Sequence, residues 1–283
     1  MTDKILVLAA TGAVGTEVVK ALQAKGANVV VGARNLEKAA GKFGPGVPVL
    51  PFDFEKPDTY PAAFAGVQRL FLTGEGFNPT AHEVIAPAIA YAATQGLKHI
   101  VYSSVIGAEA SEENGHRKSE RAIERTGVPY TFLRPNFFNQ NFTNYDRDSV
   151  LQGRIYFPSG DGKTSYIDAR DIGAVAAEAL STDEHFNRAY TLTGPEALSF
   201  YEIADQLSDA LGRKVEYLNP STEEFTATMK SHHVPDVVLD QMLALYGVYN
   251  KEGYLASVTP DVQTVLGREP IRFAQYAQEA FGQ

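Results

Sequence analysis

From the start of the chain to about residue 135, apolar runs of strand length alternate with segments of helical period. The runs are 4–9, 28–33, 47–52, 68–73, 98–103 and 129–134, and their near-continuous apolar character fits parallel strands covered on both faces. Between the first two, Val14, Val18 and Leu22 recur at four-residue spacing and Gly26 follows as a C-terminal cap, which predicts a helix. A second helix is predicted over 82–95, with Ile85, Ile89 and Ala92 on one face and Pro87 distorting its early turn. Such alternation predicts an α/β fold of βαβ units around a parallel sheet, with 1–150 as its first domain.

Beyond 135 the pattern turns irregular and rich in Asn, Phe and Tyr. A helix over 171–180 and a strand over 188–193 are expected to return to the sheet, so 171–193 belongs with it. The remainder of 151–283 is expected to form a smaller C-terminal α+β lobe that binds substrate. Ser199 with Glu202 and Ser221 with Glu224 are capping-box pairs that start helices. Thr259-Pro260 marks another start, a cap followed by proline at the first helical position. No internal repeat or low-complexity tract interrupts the chain.

Length and composition narrow the class. A chain of 283 residues, 44% hydrophobic and 21% charged, suits one large domain or a nucleotide-binding domain with an appendage, well packed and ordered. The net charge of -9 opposes the counterion release that duplex DNA rewards, so no nucleic-acid partner is expected. The absence of cysteine excludes disulfides, thiolate metal sites and a cysteine nucleophile. The apolar run from Ile5 to Ala10 meets a glycine turn before it reaches the length of a signal or a span. No membrane anchor is expected, and the compartment is read as the cytoplasm.

The first strand runs into Ala9-Ala10-Thr11-Gly12-Ala13-Val14-Gly15, a G-x-x-G-x-x-G turn with alanine in place of the first glycine. Such a turn aims backbone N–H groups and a helix N-terminus at a pyrophosphate, and Gly12 and Gly15 permit close approach. A tight turn alone would also call for glycine. The next strand ends Val31-Gly32-Ala33-Arg34 without the acid that holds NAD ribose hydroxyls. Arg34 instead suits a 2′-phosphate and Lys38 adds a charge one helical turn on, which favours NADPH over NADH; both are alternatively solvated surface cations. Asp53 is placed to accept from an adenine amino group, with Phe54 packing beside it. Thr73 and Gly74 close the fourth strand at the ligand-binding edge of the sheet.

With these residues, Lys98-His99-Ile100-Val101-Tyr102-Ser103-Ser104, the stretch from Gly127-Val128-Pro129-Tyr130 to Arg134-Pro135-Asn136-Phe137-Phe138, Tyr166-Ile167-Asp168-Ala169-Arg170-Asp171-Ile172 and Tyr190-Thr191-Leu192-Thr193-Gly194-Pro195, the chain resembles the NmrA-like atypical short-chain dehydrogenase/reductases over nearly its whole length. The resemblance implies a Rossmann-type doubly wound parallel sheet, with 1–150 as the NAD(P)-binding domain and a smaller C-terminal lobe, and NADP(H) lying across the strand ends. It leaves two activities open, because the family holds reductases of quinones, dyes, isoflavonoids and other conjugated acceptors as well as a dinucleotide-sensing regulator that is no catalyst.

Ordinary short-chain dehydrogenases donate a proton from a tyrosine four residues before a lysine. Here Lys118 is the candidate lysine and Asn114 stands where the tyrosine would be. The resemblance gives Lys118 the nicotinamide ribose and a share of charge stabilisation, gives Ser103 or Ser104 the acceptor or nicotinamide side, and lays Pro135, Asn136 and Phe137 against the nicotinamide. Phe77, Phe138, Asn141, Tyr166, His232 and Tyr246 are expected to line a pocket for a flat substrate. His232-His233 are adjacent and face different ways on a helix, so no metal is expected. The expected chemistry is direct hydride transfer from NADPH, without flavin, to a quinone, an azo dye or an activated C=C or C=N bond. Such acceptors stabilise the resulting anion themselves and need no dedicated tyrosine acid. The rival class is a non-catalytic NADP(H) sensor, and a nucleotide-sugar epimerase ranks last because that class keeps the tyrosine-lysine pair. The oligomeric state is left open.

Overall fold

The computed structural model describes residues 3–74 and 80–282. In chain order the elements begin β1 (Lys4–Val7), α1 (Ala13–Ala24), β2 (Asn28–Ala33), α2 (Leu36–Phe43), β3 (Val49–Pro51), α3 (Tyr60–Phe64), β4 (Arg69–Thr73), α4 (Ala81–Ala93), β5 (His99–Ser103), α5 (Gly115–Glu124) and β6 (Tyr130–Pro135). They continue with α6 (Asn141–Asn144), α7 (Arg147–Leu151), β7 (Arg154–Tyr156), β8 (Lys163–Thr164), α8 (Ala169–Ser181), β9 (Arg188–Leu192), β10 (Leu198–Ser199) and α9 (Phe200–Leu211). The last are β11 (Glu216–Leu218), α10 (Thr222–Ser231), α11 (Asp236–Met242), α12 (Asp261–Leu266) and α13 (Phe273–Phe281). No helix among the described residues is long and apolar enough to cross a membrane.

The chain divides into two units, the first holding Met1–Pro135, Ala169–Leu192 and Asp261–Arg268, the second Asn136–Asp168, Thr193–Pro260 and Glu269–Gln283. In the first, a seven-stranded sheet runs in the order β3-β2-β1-β4-β5-β6-β9, and every pairing in it is parallel. The order reverses between β1 and β4, the switch point at which open α/β sheets bind ligands. Leu6, Leu70, Ile100 and Phe132 form one face of the core, with Tyr60 and Phe64 from α3 and Ile85 and Ile89 from α4 packed on it. Helices α1 and α8 press together closely: a Cβ on Gly173 would lie 2.6 Å from the Glu17 backbone.

The predicted alternation is the observed one, and the seventh strand, β9, is the predicted 188–193 segment returning beside β6. Segment 136–150, which the sequence reading kept with the nucleotide domain, instead gives Phe142 and Val150 to the core of the second unit. Pro87 lies inside α4. Both capping boxes form as read, Ser199 with Glu202 and Ser221 with Glu224.

The second unit carries two small two-stranded sheets, β10 with β8 and β11 with β7. Helix α9 packs on α13, and the core between these elements is largely aromatic. Phe142 and Tyr166 lie 5.5 Å apart, ring centroid to centroid, and each lies 5.2 to 6.4 Å from both Phe200 and Phe273.

Candidate functional site

The turn from β1 to α1 is built on close backbone approach. Ala9 has φ 52, a left-handed conformation that costs an L-residue about 1–2 kcal/mol and explains why glycine usually stands there. Gly12 is the N-cap of α1, and its N–H donates to the Ala9 carbonyl at 3.1 Å. A side chain on Gly15 would place its Cβ 2.4 Å from the Ala9 carbonyl oxygen, so Gly15 sets how tightly helix and strand meet. Val14 and Gly15 are buried while Thr11 lines the groove above. Of the predicted turn residues, Val14 and Gly15 therefore shape the cradle. The N–H groups of Ala13, Val14 and Gly15 open the helix and lack intrahelical acceptors, the arrangement that attracts an anion.

A groove of about 460 Å³ runs along the carboxyl ends of β1, β2, β3 and β4, lined by Ala9, Thr11, Arg34, Lys38, Asp53, Phe54, Thr73 and Gly74 among others. Arg34 and Lys38 stand at the β2 end, and Asn35 between them caps α2 by accepting from the Lys38 N–H at 2.8 Å. Lys42 was not picked out by the sequence reading. It lies one turn beyond Lys38 and donates to the Thr11 carbonyl at 3.2 Å. Burial, then the charges of Lys20 and Lys38, push its amine below the ordinary lysine value; an anion seated here would relieve that crowding. Asp53 pairs with Lys56 at 3.5 Å and accepts from the Glu55 N–H at 3.1 Å, so its carboxylate partly orders its own loop. The Thr73 hydroxyl donates to the Ser103 carbonyl at 3.0 Å, which ties the ends of β4 and β5. A glycine cradle with open N–H groups at the switch point and cations at one end fits an extended dinucleotide carrying an extra phosphate.

The sequence profile of the NmrA-like family matches residues 1–277. The chain belongs to the NmrA-like family. An NAD(P)H azoreductase from Xenophilus azovorans is 37% identical to it, with 98% of this chain and 99% of the relative covered. The crystal structure of Citrobacter sp. triphenylmethane reductase complexed with NADP(H) superposes at TM-score 0.85 and 29% identity, covering 98% and 99% of the two chains. The Escherichia coli quinone oxidoreductase QOR2 complexed with NADPH superposes at 0.84 and 27% identity, covering 98% and 100%.

In this NmrA-like chain Lys118 pairs with Glu113 at 2.9 Å and is 38% exposed; it is not among the residues lining the groove. Asn114 is the N-cap of α5, its side-chain oxygen accepting from the His116 and Arg117 N–H groups. That local duty accounts for an amide where other dehydrogenases place tyrosine. Ser103 and Ser104 are buried. Ser104 Oγ makes no close hydrogen bond, yet it lies near enough to the Glu120 carboxylate to favour its charged form. Burial raises Glu120, but Arg134, Arg117 and Ser104 outweigh it and hold the carboxyl below its ordinary value. Arg134 Nη2 donates to it at 2.9 Å, which joins α5 to β6.

A second pair escaped the sequence reading. The Tyr102 hydroxyl on β5 meets His116 Nδ1 at 2.9 Å. Burial pushes the His116 imidazole down to about 4, and Glu120 only partly opposes this. Both rings border Gly74: the Tyr102 oxygen lies 3.4 Å and His116 Cε1 3.8 Å from where a Gly74 Cβ would sit. No spacing rule links two residues fourteen apart on a strand and a helix.

In the second unit Asn136 uses its amide internally, donating to Ser165 Oγ and the Leu255 carbonyl at 2.8 Å each, and accepting from the Phe137 N–H. Phe137 stacks on Tyr246, with centroids 5.3 Å apart. Tyr166 and Tyr246 are buried in the aromatic core, and burial raises both phenols far above their ordinary value. Phe138 forms a bridge to Ile167, Asn141 opens α6, and His232 is the exposed C-cap of α10. Pro135 ends β6 opposite Leu192. Phe77 lies outside the described residues. Among the described residues, no cluster of three or more His, Asp or Glu could hold a metal ion.

Proposed function

We propose that this chain is an NADPH-dependent reductase, working in the cytoplasm, that passes hydride to an electron-poor conjugated acceptor without flavin. The acceptor class is a quinone, an azo dye or an activated C=C or C=N bond. The observation that carries the reading is the groove itself, which starts at the β1–α1 turn and has Arg34 and Lys38 in its wall at one end, with Lys42 bonded to the Thr11 carbonyl beside it and no acid directly after β2. The N–H groups that open α1 hold the diphosphate, Arg34 and Lys38 grip the 2′-phosphate, and Phe54 covers the adenine edge. Thr73 and Gly74 then lead the ligand across β4 toward its reactive end. Once bound, NADPH supplies the hydride.

The relatives named for azo, quinone and triphenylmethane reduction support this acceptor class. Those acceptors share delocalisation that spreads the incoming negative charge, which matches a chain with Asn114 in place of the tyrosine acid. The test is stereospecifically deuterated NADPH offered with a quinone and with an azo dye. Label is expected in the reduced product. Tight NADPH binding with no label transfer across a broad acceptor panel would favour the sensing alternative instead.

A further inference from the structure

We propose that His116, braced by Tyr102, donates a hydrogen bond from Nε2–H to the acceptor as negative charge builds on it. The proposal rests on the reductase reading and adds the group that meets the substrate.

Three observations converge on the ring. His116 occupies the first turn of α5, a helix of ten residues, and Asn114 fixes that turn by capping it. The Tyr102 hydroxyl holds Nδ1 at 2.9 Å, while Nε2 has no hydrogen-bond partner among the described residues. The carbon between the two nitrogens lies 3.8 Å from the Gly74 Cβ position; Gly74 is a wall of the groove, and the ring stands just beyond that wall rather than among the lining residues. Beyond the switch point, toward β5, is where the ligand's reactive half passes if its phosphates sit on α1.

The protonation states agree. Burial lowers His116 to about 4, so the imidazole is neutral at pH 7 with one proton to place. Burial also raises the Tyr102 phenol, and the Gly74 backbone and the Ser119 hydroxyl only partly offset this. The phenol therefore keeps its proton, and the proposed tautomer is the one in which that proton points at Nδ1 and the imidazole hydrogen sits on Nε2. A neutral imidazole at a helix N-terminus can act as the electrophile that polarises a carbonyl.

The electron count closes without a further reagent. Hydride brings two electrons from the dihydronicotinamide to the conjugated acceptor, leaving the oxidised nicotinamide and an anion on the acceptor's oxygen or nitrogen. Nε2–H hydrogen-bonds that anion, solvent supplies its proton, and His116 ends unchanged. Tyr102 touches neither substrate nor cofactor and is a positioning residue.

The test compares His116→Leu, His116→Gln and Tyr102→Phe with the wild type. His116→Leu is expected to lower kcat on a benzoquinone by about 100-fold, the loss seen when one donor to a developing anion is removed, and to leave the Kd for NADPH unchanged by calorimetry. His116→Gln, which keeps an N–H donor near the Nε2 position, is expected to recover most of that loss. Tyr102→Phe is expected to lower kcat with little change in KM and to mix the two imidazole tautomers in 15N spectra. Equal losses in Leu and Gln variants, or NADPH affinity falling in step with kcat, would overturn the proposal in favour of a strut between α5 and β5. A binding readout covers wild type that turns nothing over: with NADP+ present, hydroquinone should move the His116 Nε2 resonance. An unmoved resonance refutes the donor role, whereas a moved one without turnover refutes only the reductase reading.

Discussion

The β1–α1 turn and the aromatic core of the second unit use their residues in opposite ways. At the turn, side chains are nearly absent: Gly12 and Gly15 bring backbone against backbone, and the N–H groups that open α1 have no acceptor within the helix. In the second unit Phe137, Phe157, Tyr166, Phe200 and Tyr246 are engaged with one another, and Asn136 satisfies its amide internally. A site advertises itself by groups left unsatisfied, and a core by groups already satisfied. Aromatic and amide residues in the sequence belong to either until their partners are known.

The sharpest way to break that contrast is at the core. Phe273→Ala, at a ring that is 1% exposed, should cost about 3–5 kcal/mol in denaturant unfolding and leave NADPH affinity intact in the folded fraction. A stable variant that had lost NADPH would transfer the core residue to the site. At the turn, Gly15→Ala should do the reverse, weakening NADPH by about 100-fold, roughly 3 kcal/mol, because the added Cβ would meet the Ala9 carbonyl at 2.4 Å and force α1 off its axis.

Acid should separate the units next. His99 and His116 in the first unit are lowered by burial to about 4 from 6.5. The unfolded chain therefore protonates first, and stability that is full above pH 6.5 is lost as pH falls toward 4. Each ring sets a slope of up to about 1.4 kcal/mol per pH unit. Asp146 in the second unit is raised by burial from 3.8 to about 6, so its contribution is full below pH 3.8 and lost as pH rises through 6. Hydrogen exchange compared at pH 7 and pH 5 should show protection falling in the first unit more than in the second; equal losses would mean the histidines do not govern it.

Two smaller effects sharpen the turn. Arg34→Ala should weaken NADPH about tenfold, near 1.4 kcal/mol, and leave NADH unchanged by calorimetry; Lys42→Met should deepen the difference. Ala9→Gly should raise stability by about 1 kcal/mol in a thermal melt by relieving φ 52.

The strands and the cradle were legible because their signals are local. Apolar runs of the right length, glycines three apart and Ser-x-x-Glu caps act within one turn of chain, and each stands where it was read. That Arg34, Lys38, Asp53, Phe54, Thr73 and Gly74 line one groove was legible for the same reason: they follow strands, and strand ends fall at one edge of a parallel sheet. Lys42 was missed because its contact is with Thr11, thirty-one residues earlier. Lys118 stood out by analogy with another motif, yet its amine pairs with Glu113.

By itself, then, the chain determined a parallel α/β sheet, a tight glycine turn after its first strand and a change of pattern beyond the sixth, since backbone conformation and periodicity follow from neighbours in sequence. Only the tertiary structure decided which polar groups are spent. It closed Tyr166 and Asn136 into the second unit, gave Asn114 to a helix cap and set His116 against Tyr102 beside Gly74. A hydrogen-bond partner is fixed by proximity in space, and proximity between distant segments is a property of packing that no local pattern encodes.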